Sequence, residues 1–182
     1  MTEKYLFLSN PNEQYNMKTL YIVRHAKSSW EFPRLSDAER PLLEKGKERT
    51  KLVARYLKKN KISVDLINSS HATRATETAT MLAQAIGYPV ESIQINRMLY
   101  HANSVNIFDQ FYEVPDPVQS LMIVGHNPTL TDFANHFLDE KIEWLPTSGI
   151  VSISFDADSW NNLPEAKRKI NFVIYPKMLK EL

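Results

Sequence analysis

LYIVRHAKSSW, residues 20–30, is the stretch from which the fold can be read. With Thr19 it begins as a short continuous apolar run, TLYIV (19–23), the pattern of a strand buried on both faces. The run leads straight into Arg24 and His25. A guanidinium and an imidazole at the end of a buried strand are held rigidly and at the edge of a sheet, where a site is built.

Working outward, apolar strands alternate with amphipathic segments. Residues 44–59 read as a helix with Leu52, Val53, Tyr56 and Leu57 on one face. ISVDLINSS (62–70) reads as a strand, and 72–86 as a helix stopped by Gly87 and Pro89. VESIQIN (90–96) is a third strand, 103–112 a helix, and SLMIVGH (120–126) a fourth strand. A helix over 129–138 follows Pro128, which suits a first-turn position. GIVSISF (149–155) and KINFVIY (169–175) close the chain as a hairpin with a long loop. The alternation predicts an α/β fold, a three-layer sandwich with a mostly parallel central sheet flanked by helices.

The chain of 182 residues, 43% hydrophobic and 24% charged, suits one soluble domain. We expect it to span 17–182, with residues 1–16 a polar extension that is either an appended arm or an upstream start before Met17. A net charge of +1 offers no bulk field for nucleic acid or membrane, so neither is expected as a partner. No apolar run approaches the roughly 20 residues of a spanning helix. The first residues lack a basic n-region and long apolar core, so a cytoplasmic protein is the default expectation. The absence of cysteine excludes disulfides, thiolate catalysis and Cys-ligated zinc.

Ligands of open α/β sheets bind outside the carboxyl ends of the strands. Three predicted strand ends carry related chemistry. The first ends in Arg24-His25. The second ends in SSHATR, with Arg74 in the first turn of the next helix, and the fourth in GHNP, with His126 after Gly125. Guanidinium forks match phosphoryl oxygens, and helix N-termini favour anions. Only four glycines are present, so neither a Walker loop nor a G-x-G-x-x-G turn exists, and side chains must hold any phosphate. Taken singly, each residue has an ordinary structural reading: a satisfied histidine, a salt-bridged arginine, a turn residue. Their shared placement points to a site. His71, His101 and His136 lack zinc-ligand spacing, and no metal or cofactor is expected.

These residues resemble a known family. LYIVRHAKSSW is similar to the Arg-His signature of the histidine phosphatase (phosphoglycerate mutase-like) superfamily, SSHATRATETA to its second-arginine motif, and VGHNP to its second-histidine motif. More narrowly, Asp37-x-x-Arg40-Pro41-Leu42 and TSGI (147–150) resemble SixA-type phosphohistidine phosphatases. The resemblance covers about residues 17 to 155 and implies a phosphoglycerate mutase-like fold. It implies that His25 is the nucleophile that carries a phosphohistidine intermediate, and that Arg24, Arg74 and His126 bind the phosphoryl group and complete the catalytic set. Ala26 replaces the commoner glycine, Lys27 and Glu31 replace the Glu and Asn of many relatives, and the usual acidic proton donor is missing. His101, in MLYHANS, is the nearest candidate donor, with Glu77 and Asp37 behind it.

The expected function is a metal-independent phosphatase, with phosphohistidine on a protein as substrate and partner. Two alternatives stay open: a phosphatase for small phosphorylated metabolites, and a phosphate-binding module without turnover.

Overall fold

The computed structural model describes residues 17–100 and 104–180; the proposed N-terminal extension and His101 lie outside the described residues. The strands are β1 Met17–Arg24, β2 Leu66–Ser69, β3 Gln94–Ile95, β4 Ser120–Gly125, β5 Ile150–Asp156 and β6 Lys167–Ile174. The helices are α1 Glu44–Lys59, α2 Thr73–Ile86, α3 Ser104–Asp109 and α4 Thr129–Phe137. One six-stranded sheet runs in the order β3-β2-β4-β1-β5-β6.

β1 alternates Leu20 and Ile22 on one face with Tyr21 and Val23 on the other, and all four are buried. Leu20 and Ile22 join α4 through Phe133 and Phe137, together with Ile107 of α3 and Trp160. Tyr21 and Val23 join Val53 and Leu57 of α1 and Ala75, Ala79 and Leu82 of α2. Two cores on opposite faces make the predicted three layers. At about 25 cal/mol per Å² of apolar surface, burial on both sides is what holds β1 as the rigid centre of the molecule.

The sheet is mixed rather than mostly parallel. β3, β2, β4 and β1 run parallel, whereas β5 pairs antiparallel with β1 and β6 antiparallel with β5. A burial pattern records which face of a strand is covered, not its direction. Residues 138–149 return the chain from α4 so that β5 enters beside β1 head to tail.

Several elements are shorter than their apolar runs. β2 keeps only the last part of 62–70, and β3 is a two-residue edge pair with both residues exposed. α3 gives way to a 3₁₀ turn at Gln110–Glu113. α1 matches its predicted span, and α2 ends at Gly87, whose φ of 74° lies in the left-handed region that glycine adopts without strain.

Candidate active site

Strand register builds the site. Arg24 stands opposite Gly125 in the β1–β4 ladder, and Ser69 opposite Val124 in the β2–β4 ladder. The next residues of the three strands, His25, His126 and Ser70, therefore leave the sheet side by side. The His25 and His126 ring centroids are 4.9 Å apart. His126 Nε2 is 2.8 Å from Ser70 Oγ. Ser70 Oγ accepts from the Ala72 N–H at 3.3 Å, which leaves its own proton to donate to the imidazole.

The surroundings of His25 favour the neutral imidazole. Its Nδ1 lies 2.7 Å from the Ala26 carbonyl, and only an N–H pairs with a carbonyl oxygen, so Nε2 carries the lone pair. Burial lowers the pKa to about 4; the Ala26 bond opposes this, and the charges of Arg74, Arg24 and Arg40 add to the lowering. Burial likewise lowers His126 to about 3, helped by His25 and Arg74.

The loop after His25 is fastened along its length. Ala26 N–H donates to Thr78 Oγ1 at 2.9 Å, and Thr78 Oγ1 donates to the Arg74 carbonyl at 2.6 Å. Lys27 O accepts from Leu43 N–H, and Ser29 N–H donates to Pro41 O, each at 2.9 Å. Ala26 is fully buried and does not have positive φ, so it takes the place of the commoner glycine without strain. Lys27 and Glu31 are exposed to solvent.

Ser148 and Gly149, within TSGI, clamp the end of β1. Arg24 N–H donates to Gly149 O at 3.1 Å, and Ser148 N–H donates to the Arg24 and His25 carbonyls at 3.1 and 3.3 Å. A Cβ at Gly149 would meet Pro146 O at 2.7 Å, so the close approach requires glycine.

The arginines are fixed by neighbouring acceptors. Arg24 Nη1 donates to the Leu145 carbonyl at 2.8 Å, an oxygen that also accepts from Asn127 Nδ2 at 2.9 Å. Arg74, only 5% exposed, donates through Nη1 to the Asp37 carbonyl at 2.5 Å and through Nη2 to Asp37 Oδ2 at 2.9 Å. Arg24 Nε, Arg74 Nε and His126 Nδ1 are buried and without a hydrogen-bond partner. Buried polar groups are nearly always paired, so these three groups around one histidine are suited to a polar ligand.

Arg24, His25, Arg74 and His126, singled out by sequence, thus come to one sheet edge. Of the candidate proton donors, Asp37 forms ion pairs with Arg74 and Arg40, and Glu77 Oε2 accepts from Leu42 N–H at 2.8 Å. His136 lies away from the site, against Phe108 and Phe137. His71 packs on Tyr100, with ring centroids 4.7 Å apart. Among the described residues no three histidine or carboxylate side chains gather as a metal site.

Tyr100, Trp30 and Trp144, to which the sequence analysis assigned no role, stand beside these residues. Tyr100 lies edge-on to His126 at 5.3 Å and donates its hydroxyl to Asp37 Oδ2. The Arg40 guanidinium stacks on Trp30 at 3.5 Å, and Arg24 lies over Trp144 at 5.3 Å. Trp30 and Trp144 are 78% and 51% exposed, and exposed aromatics beside half-buried arginines are the structural signal for them.

Comparison with known proteins places this geometry in a family. Residues 20–95 match the histidine phosphatase superfamily (branch 1). An uncharacterized protein of Mycobacterium tuberculosis is 32% identical over 139 residues, covering 71% of this chain and 84% of that protein. The SixA of Agrobacterium tumefaciens, assigned as a phosphohistidine phosphatase, superposes with a TM-score of 0.71 at 26% identity, over 87% of this chain and 99% of that one. The protein histidine phosphatase SixA in complex with tungstate gives 0.70 at 23% identity, over 88% and 99%. A mycobacterial glucosyl-3-phosphoglycerate phosphatase shares the fold at 13% identity with a TM-score of 0.62, over 85% and 97%. The chain belongs to the histidine phosphatase superfamily and is of the SixA type.

Among the described residues, no helix is long and apolar enough to cross a membrane.

Proposed function

We propose that the protein is a metal-independent phosphatase that removes the phosphoryl group from phosphohistidine on a protein, through a phosphohistidine formed on its own His25. The observation that carries this reading is the His25 ring, whose Nδ1–H is tied to the Ala26 carbonyl and whose Nε2 lone pair is free. A module that only binds phosphate has no use for an imidazole held in this tautomer.

In the first step Nε2 attacks phosphorus, the P–N bond to the substrate imidazole breaks, and that imidazole takes a proton from solvent. In the second step water attacks phosphorus, the P–Nε2 bond breaks, and orthophosphate leaves with His25 neutral again. Arg24 and Arg74 bind the phosphoryl oxygens. His126, with Ser70 donating to Nε2, offers its Nδ1–H to the same group as charge builds in the transition state.

The state of the carboxylates supports a P–N bond as the target. Burial pushes Asp37 up, but the Tyr100 hydroxyl bond, Arg74 and Arg40 overcome it and hold the carboxyl at about 2. Asp37 is therefore ionised at neutral pH, and Glu77 is occupied by the Leu42 backbone. An alkoxide leaving group loses about 10²–10⁴-fold in rate without a general acid. An imidazole leaving group is protonated by water and depends on such an acid far less. The exposed Trp30 and Trp144 beside the site suit contact with a protein surface.

The test is phosphate release from a phosphohistidine protein, sugar phosphates and nucleotides, by wild type and His25→Ala. We expect phosphohistidine protein to be turned over fastest, His25→Ala to be inactive, and the wild-type enzyme to trap an acid-labile, alkali-stable label. Preference for sugar phosphates would move the assignment to a metabolite phosphatase, and equal rates for His25→Ala and wild type would overturn the mechanism.

A further inference from the structure

The phosphoryl-transfer scheme gives Asp37 no role, yet this residue bonds at once to Arg74, Arg40 and Tyr100. It starts the 3₁₀ turn Asp37–Glu39 on the loop after β1. That turn is braced by Ser36, whose N–H and hydroxyl donate to Glu39 Oε2 at 2.9 and 2.6 Å. The Asp37 carbonyl and Oδ2 receive the two terminal nitrogens of Arg74, Oδ1 receives Arg40 Nε at 2.9 Å, and the Tyr100 hydroxyl donates to Oδ2. Arg40 is held further by its stack on Trp30 and by a 3.3 Å bond from Nη1 to Ser29 O.

Two consequences follow from this bridging. First, Arg74 is engaged at both ends of its fork, so its remaining N–H groups meet a phosphoryl group in one orientation only. Second, the site holds three guanidinium charges, on Arg24, Arg40 and Arg74, against the single carboxylate of Asp37, with His25 and His126 neutral. The net is two positive charges, which matches the roughly −1.5 to −2 of a phosphoryl group at neutral pH. Three uncompensated guanidiniums would hold product orthophosphate more tightly and delay its departure.

Resting on the phosphatase reading, we propose that Asp37 is a positioning residue that aligns Arg74 and sets the charge of the phosphoryl site so that orthophosphate is released. The motif Asp37-x-x-Arg40 then has a physical purpose, since it brings to the site both a third guanidinium and the carboxylate that offsets it.

The experiment uses the full chain and measures orthophosphate and tungstate binding by calorimetry, beside turnover, for wild type, Asp37→Asn, Asp37→Ala and Asp37→Glu. Asparagine keeps an acceptor for Arg74 but loses the charge, so Asp37→Asn should bind orthophosphate about tenfold tighter, the direction expected for one unit charge removed nearby. Its kcat should fall more than its kcat/KM, because product leaves more slowly. Alanine also releases Arg74, so Asp37→Ala should bind orthophosphate no tighter than wild type and lose kcat/KM. Asp37→Glu restores the charge and should return orthophosphate affinity to within about twofold of wild type. Equal orthophosphate affinity in Asp37→Asn and wild type, or identical behaviour of the Asn and Ala variants, would overturn the role of Asp37 alone. A wild-type chain that binds neither anion would overturn the phosphatase reading and this role with it.

Discussion

The imidazoles of His25 and His126 stand 4.9 Å apart between centroids, tilted by 50°, because β1 and β4 run parallel with Arg24 opposite Gly125. The two rings differ in their tethers. His25 is tied through Nδ1 to a backbone carbonyl, and His126 through Nε2 to a hydroxyl. If His126 binds the transferring phosphoryl group, His126→Ala should lower kcat by about 10²–10³-fold, as expected for one lost donor to transition-state charge. Thermal melting of the variant beside single-turnover kinetics separates this loss from a folding defect.

Both histidines should stay neutral well into the acid range. Their folded pKa values, about 4 for His25 and about 3 for His126, lie below the ordinary 6.5. Below pH 6.5 the unfolded chain takes up protons at these positions that the folded chain refuses, so their contribution to stability is complete above 6.5 and is lost as pH falls toward 4. NMR of the ring nitrogens between about pH 7.5 and 5 should show both imidazoles neutral, and the melting temperature should fall over the same interval. A titration of His25 centred near 6.5 would contradict the burial described for it.

Gly46→Ala should be destabilising although alanine favours a helix by up to about 1 kcal/mol. The new Cβ would meet Lys27 O at 2.3 Å, and that oxygen is backbone, two residues from His25. Overpacking of this kind costs about 1–3 kcal/mol, so the clash outweighs the propensity gain. Urea unfolding should report the loss, and kcat should fall with it as the loop moves.

Thr78→Val removes a hydroxyl that serves two partners, the Ala26 N–H and the Arg74 carbonyl. Ala26 and Thr78 are both fully buried, so an orphaned N–H there should cost about 1–3 kcal/mol. Thr78→Ser should recover most of it, which denaturant titration of both variants checks.

The parts of the fold that follow from periodicity are legible in the chain itself. TLYIV announces a strand covered on both sides, and 44–59 is the span of α1. The sense of β5 is not, because alternation in GIVSISF specifies faces and carries no information about direction. In the site, Arg24, His25, Arg74 and His126 can be found because each sits at or just beyond a strand end. Tyr100 is overshadowed by its neighbour His101, since a phenol in MLYHANS gives no sign that its hydroxyl reaches Asp37. The bond between Asp37 and Arg74 joins residues 37 apart, a separation at which only the folded chain brings side chains together.

The clamp of Ser148 and Gly149 on Arg24 and His25 ties the strand that leads to His25, the first of the described strands, to the hairpin formed by the last two. The backbone of residues 24 and 25 is thus held from two sides, by Gly125 O on the His25 N–H and by Ser148 and Gly149 on the side of the hairpin. Amide exchange at Arg24 should follow the opening of the β5–β6 hairpin rather than that of the parallel ladder, making one backbone proton a reporter of whether the terminal hairpin has docked.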